Sequence, residues 1–113
     1  MIELRSVLGK MAGHTRRKYA PPERLAWFCY RFAVAFKAGI PVADAVHLVA
    51  GDDEYFGKHL VRIGDDIHAG IPLHQALSNQ GLFPPYLVSM IKVGETTGAL
   101  DKVMESLAVY YEQ

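Results

Sequence analysis

The sequence is poor in cysteine and tryptophan, carries no net charge and contains no long apolar run. A single cysteine, Cys29, excludes an internal disulfide, and its place inside an apolar helical pattern points to a buried thiol in a reducing compartment. No apolar stretch reaches the roughly 18 residues that a membrane-spanning helix needs. The best candidate, Leu25 to Phe36, is short and interrupted by Arg31. The first residues lack the apolar centre and cleavage site of a secretory signal, so a cytoplasmic location is the expectation. Half of the 113 residues are hydrophobic, which argues against disorder and gives one small domain enough apolar surface for a core. Twelve basic and twelve acidic residues cancel, but unevenly: through Arg24 six basic residues face two acidic ones, leaving six against ten in the remainder.

Glycine and proline, by contrast, are plentiful and fall in a pattern. Residues Ala38 to Val46 read AGIPVADAV, and residues Ala69 to Leu77, starting 31 positions later, read AGIPLHQAL. A repeat of this kind marks a duplicated structural unit. Gly39 and Gly70 can take positive φ and stop a helix, the following Ile makes an apolar contact over the turn, and Pro41 and Pro72 stand where a new helix begins. The chain is expected to turn the same corner twice.

Residues 1–20 read as a basic, mobile arm with at most one short helix, and residues 21–113 as the folded domain. Pro21 and Pro22 start a helix whose Leu25, Phe28, Phe32, Ala35 and Phe36 recur at helical steps as far as Gly39. A second helix from Pro41 carries Ala45, Val46 and Val49, and Gly51-Asp52-Asp53 closes it and caps the next. Phe56, Leu60, Ile63 and Ile67 stripe the third, with Lys58, Arg62, Asp65 and Asp66 on its polar face. Leu73, Ala76 and Leu77 face inward on the fourth, which ends at Asn79-Gln80-Gly81. Leu87, Val88, Met90 and Ile91 follow on the fifth. Gly94 and Gly98 bracket a corner, after which Leu100, Val103, Met104, Leu107 and Val109 or Tyr110 stripe the sixth. No strand-like alternation survives. The expected fold is all-α, an antiparallel six-helix bundle built from two related three-helix units.

Little in this chain carries chemistry. His47, His59, His68 and His74 are placed on different helices, His14 lies in the arm, and no pair has the i, i+4 spacing of a helical zinc site. Asp52-Asp53-Glu54 and Asp65-Asp66 lack calcium-loop spacing, and acidic residues at helix starts already serve the dipole. No cofactor is expected, adventitious divalent binding aside. Ser78 and Ser89 have no nucleophile elbow, Cys29 has no adjacent base, and Gly94 to Gly98 lacks the lysine of a phosphate loop. The pattern is not that of an enzyme. A DNA-binding regulator is the alternative, because tight glycine-containing turns join the helices. The helices after the two corners offer no arginine or lysine to phosphates, so nucleic acid is not expected as a partner. A metal-dependent hydrolase using Asp65 and Asp66 is a further rival.

Taken in order, AGIP, then GIPLHQAL, then FP, then VGETTGALD, then YYE resembles the cytoplasmic repeat domain of the type II secretion system protein F family. These are inner-membrane platform proteins of secretion systems and type IV pili. The resemblance covers residues 23–113, with Thr97 where the family commonly has serine. It implies a six-helix bundle on the cytoplasmic face of the bacterial inner membrane, followed beyond Gln113 by membrane-spanning segments and a second copy of the domain. It also implies a non-enzymatic hub that joins the assembly ATPase to the other platform components; weak self-association is a separate expectation for this domain. Some members bind a cation between helices, and no ligand set for one maps onto this sequence. Gly39, Pro41, Gly70, Pro72, Gly94 and Gly98 are the structural corners, and Glu95 and Asp101 the candidate polar anchors or helix caps.

Overall fold

A computed structural model describes residues 18–113. These residues form six helices and no strand: α1 (Pro22–Lys37), α2 (Val42–Asp52), α3 (Gly57–His68), α4 (Leu73–Gln80), α5 (Pro85–Thr97) and α6 (Leu100–Glu112). The expected arm lies almost wholly outside the described residues. Its last residue, Ala20, belongs to the core instead, because its N–H donates to the Leu82 carbonyl at 2.9 Å and its methyl is buried.

The helices begin where proline dictates. Pro21, Pro41, Pro72 and Pro84 all sit just before a helix with extended backbone, φ between −61° and −63°. A proline has no N–H to leave unpaired there, and its ring presets the entry. Consecutive helices pack on one another, and α6 returns to make the most extensive pairing of all, against α1. The chain thereby closes around one core.

The centre of that core is aromatic. Phe28 lies 4.7 Å from Phe32, 5.0 Å from Phe56 and 5.0 Å from Phe83, measured between ring centroids, and Phe56 stacks on Phe83 at 5.5 Å. These rings join α1 to the turns that precede α3 and α5. Leu60, Ile63, Leu77, Leu87, Ile91, Met104 and Leu107 fill the remaining space, all essentially without exposure. No charged or polar residue is buried among the described residues, so dispersion and removal of apolar surface from water hold the bundle together. The stripe of α6 departs from expectation at its end. Val109 and Tyr110 point to solvent, and Ala108 and Tyr111 continue the packed face at helical steps from Met104 and Leu107.

Candidate functional site

The two AGIP corners are the same object. At the first, the Gly39 N–H donates to the Phe36 carbonyl and the Ile40 N–H to the Ala35 carbonyl, both at 3.0 Å. At the second, Gly70 donates to Ile67 and Ile71 to Asp66, again at 3.0 Å. This paired pattern is a Schellman closure, and it demands the left-handed backbone found at both glycines, φ 82° and 90°. The 31-residue offset relates α1, corner and α2 to α3, corner and α4.

A third corner follows α5, where Gly98 has φ 72° and the Ala99 N–H closes on the Gly94 carbonyl at 2.9 Å. Gly94 itself is not a corner. It lies buried inside α5, and a Cβ there would stand 3.1 Å from Val103 Cγ2, 3.2 Å from Leu100 Cδ2 and 3.3 Å from Leu100 Cα. A hydrogen is what lets α5 approach α6 this closely. Its distance of four residues from Gly98 suggests a bracketed loop in the sequence, but α5 runs straight through it to Thr97.

Glu95, the next residue, is the polar centre of this region. Its Oε2 accepts from the Leu73 N–H at 2.8 Å, and its Oε1 accepts from the His74 N–H at 2.9 Å and from His74 Nδ1 at 2.7 Å. Pro72 gives α4 no side-chain cap, so a carboxylate from another helix satisfies the first two free donors of α4 and meets the positive end of its dipole. The acceptor identifies Nδ1 as the protonated imidazole nitrogen. Gly94, Glu95, Gly98 and Asp101 also line a crevice of about 250 Å³ with Pro41 and Val42 of the first corner. The GETTGALD segment is thus inserted between the two repeated corners. Gly39 and Gly70 lie outside the crevice and shape it through the chain path. Asp101 occupies the first turn of α6, where its charge favours the helix dipole. Thr97 Oγ1 donates to the Val93 carbonyl at 2.8 Å, in the last turn of α5.

The remaining polar candidates are dispersed. His59 and His68 share α3, contrary to the expectation of four separate helices; His59 bonds Gln80 at 2.9 Å and His68 the Gly64 carbonyl at 2.8 Å. Asp65 and Asp66 stand in the last turns of α3, not at a helix start, and Asp66 accepts from Asn79 at 3.2 Å. Asp53 accepts from the Phe56 N–H at 2.8 Å, and Arg31 pairs with Asp52 at 2.9 Å. Among the described residues no three histidine, cysteine, aspartate or glutamate side chains converge on one point. Burial pushes the Cys29 thiol up to about 12, which leaves it protonated and unreactive.

What the surface does offer is apolar. Trp27, Tyr30 and Val34 on α1 and Leu48 on α2 are each more than half exposed. The Trp27 and Tyr30 rings stack at 5.4 Å and form a ridge. On one side the ridge borders a groove of about 370 Å³ running to Val34, Ala38, Ile40 and Leu48, with Arg31 on its edge. The signal was available in the sequence: Trp27, Tyr30 and Val34 sit at i, i+3 and i+7, a second stripe beside the core-facing one. A helix apolar on two faces has one face left over.

Residues 28–113 match the family described as type II secretion system (T2SS), protein F. The chain belongs to this family. Among its relatives are a type 4 fimbrial assembly protein PilC of Pseudomonas putida, 33% identical over 95% of this chain and 25% of the relative. A type IV pilus assembly protein TapC of Aeromonas hydrophila is 30% identical over 79% of this chain and 22% of the relative. A type II secretion system protein F of Xanthomonas campestris is 29% identical over 87% of this chain and 25% of the relative. The chain therefore spans about a quarter of the length of the curated relatives it matches. The corners, the Gly94 contact and the Glu95 clasp all fall inside the segment shared with the protein F family. No described helix is long and apolar enough to cross a membrane.

Proposed function

We propose that this domain is a non-enzymatic interaction module of a type IV pilus or type II secretion platform protein, placed on the cytoplasmic face of the inner membrane. In this reading it links the assembly ATPase to the membrane-embedded components. The observation that carries the reading is the exposed face formed by Trp27, Tyr30, Val34 and Leu48 on a domain of the protein F family. Large aromatic side chains raised above a shallow apolar groove suit the centre of a protein interface, because they remove much surface from water at small entropic cost. Arg31, held by Asp52, supplies a positioned polar group at the edge.

The first corner acts upstream of binding, because Gly39 and Pro41 set the turn from α1 to α2, the two helices that border this groove. The test is binding of the purified assembly ATPase to the immobilised chain. Trp27→Ala and Tyr30→Ala are each expected to weaken binding by about tenfold or more, in line with aromatic interface anchors, while helicity and melting temperature stay unchanged. Equal affinity for the parent and both variants would remove this face from the interface.

A further inference from the structure

On its other side the Trp27 and Tyr30 ridge borders a larger groove, about 600 Å³, that runs between α1 and α6. Ala26 and Ala108 line it with small side chains, and the rings of Trp27, Tyr30 and Tyr111 border it. Among the described residues its charged lining is acidic throughout: Glu23 in the first turn of α1 and Glu112 in the last turn of α6. Both carboxylates therefore stand at one end of the helix pair. Neither forms an ion pair among the described residues, whereas Arg31 is held by Asp52 and Lys37 reaches Glu105 at 3.7 Å. The two sides of the ridge thus differ in sign, with Arg31 at the edge of the α1/α2 groove and two acids here.

Aromatic rings beside carboxylates are the chemistry of a site for an organic cation. The face of an indole or phenol ring attracts positive charge, and a carboxylate adds a charge-assisted hydrogen bond. A planar guanidinium meets both demands at once, because it stacks on a ring while its edge donates in pairs to a carboxylate; an ammonium is a point charge without that fork. The fold already makes one such contact elsewhere, with the Arg24 guanidinium 5.1 Å from the centre of the Tyr55 ring. The groove is larger than one guanidinium fills, and the rest of its lining is mostly apolar, so its occupant brings apolar groups beside its cations. We propose that the α1/α6 groove binds an extended, arginine-bearing apolar segment of a partner protein. Its successive side chains point to opposite sides, so one set enters the groove against Ala26, Ala108 and Trp27 while the other carries guanidinium groups to Glu23 and Glu112. This inference does not rest on the assembly ATPase reading, and its test contains no ATPase.

Trp27 is the chain's single tryptophan, so its fluorescence reports on the ridge alone. The full chain is titrated with a blocked five-residue peptide that alternates leucine with arginine, and with the same peptide carrying glutamine in place of arginine. The arginine peptide is expected to change Trp27 emission saturably, with a Kd below about 1 mM, and to bind at least about fivefold more tightly than the glutamine peptide. The double variant Glu23→Gln, Glu112→Gln, with helicity checked by circular dichroism, is expected to lose about fivefold or more in affinity for the arginine peptide, as is the parent in about 0.5 M salt. Leu48→Ala alters the α1/α2 groove only and is expected to leave that affinity unchanged. Equal binding of the two peptides, or equal binding by the parent and the double variant, overturns the proposal. An equal loss in Leu48→Ala moves the peptide to the other side of the ridge and overturns it too. Arginine amide alone binding as tightly as the peptide makes the groove a small-cation site, and Trp27 emission that shifts with protein concentration alone assigns the groove to a second copy of the chain; either result overturns the proposal.

Discussion

Replacing Glu95 by alanine tests whether one carboxylate holds the second corner in place. The substitution removes two hydrogen bonds to the backbone of α4 and one to His74, at a site where both side chains are about four-fifths buried, with exposures of 22% and 21%. A hydrogen bond to a charged group contributes about 1.5 to 3 kcal/mol net when its partner is otherwise left dry. Here water can reach part of the vacated space, and the His74 bond is expendable because the imidazole can turn to solvent. Discounting each of the two backbone bonds to about 1 kcal/mol on that account, and adding about 0.3 to 1 kcal/mol for the dipole, gives a loss of about 2 to 3 kcal/mol for Glu95→Ala. For a domain of this size that lowers the melting temperature by about 10 to 20 °C. Glu95→Gln keeps an acceptor and loses the charge, and is expected to cost about 1 kcal/mol. His74→Ala separates the imidazole contact from the caps and is expected to cost less than about 1 kcal/mol. Thermal and urea unfolding of the three variants measure all of this. A Glu95→Ala domain within about 0.5 kcal/mol of the parent, or one no worse than His74→Ala, would refute the clasp as a stabilising element.

Other expectations follow from single positions. In an isolated helix alanine is favoured over glycine by about 1 kcal/mol, so Gly64→Ala, whose new methyl would meet only Val46 at 3.6 Å, is expected to stabilise by about 0.5 to 1 kcal/mol. Gly94→Ala is expected to run the other way by about 1 to 2 kcal/mol, because the backbone of Leu100 at 3.3 Å has to move; a stabilised Gly94→Ala domain would show that α5 and α6 are not in tight contact. The Cys29 thiol ordinarily titrates near 9 and burial raises it to about 12, while Tyr111 rises from 10 to about 12 through burial first and then the nearby Cys29, Tyr110 and Tyr86. The folded state therefore holds these protons more tightly than the unfolded chain, so stability is level below pH 9 on their account and falls as pH climbs from there towards 12. Cys29→Ala is expected to flatten that alkaline decline, and a thiol reagent is expected to label the parent only at its rate of unfolding; fast labelling at neutral pH would contradict the burial.

Most of the fold was legible because its punctuation is chemical. Proline before a helix and glycine after one leave few alternatives, and Pro41, Pro72, Gly39 and Gly70 have in the structure the geometry their order suggests. The six helices and the inward residues of α1 to α5 were readable for the same reason. The errors come from information that a local pattern does not hold. Gly94 and Gly98 look like equal brackets in the sequence, yet one is a turn and the other a contact between helices, and only the position of Leu100 and Val103 tells them apart. Val109 and Tyr110 are apolar enough for a core, but the rotation of α6 against α1 puts Ala108 and Tyr111 there instead.

Glu95 shows the same limit from the polar side. As a residue of α5 it is badly placed for its own helix, since a carboxylate near a C-terminus opposes the dipole. That local misfit was a signal that its partner lies elsewhere, and the partner is the N-terminus of α4, 22 residues earlier in the chain. The same reasoning applies to α1. Trp27, Tyr30 and Val34 have no partner among the described residues that covers them, although their side chains are costly to leave in water. A sequence under no functional demand would replace such residues by polar ones at little cost to the core, because Leu25, Phe28 and Phe32 already anchor α1. Their presence on the outer face of the most heavily packed helix is therefore better explained by contacts that this surface makes than by folding.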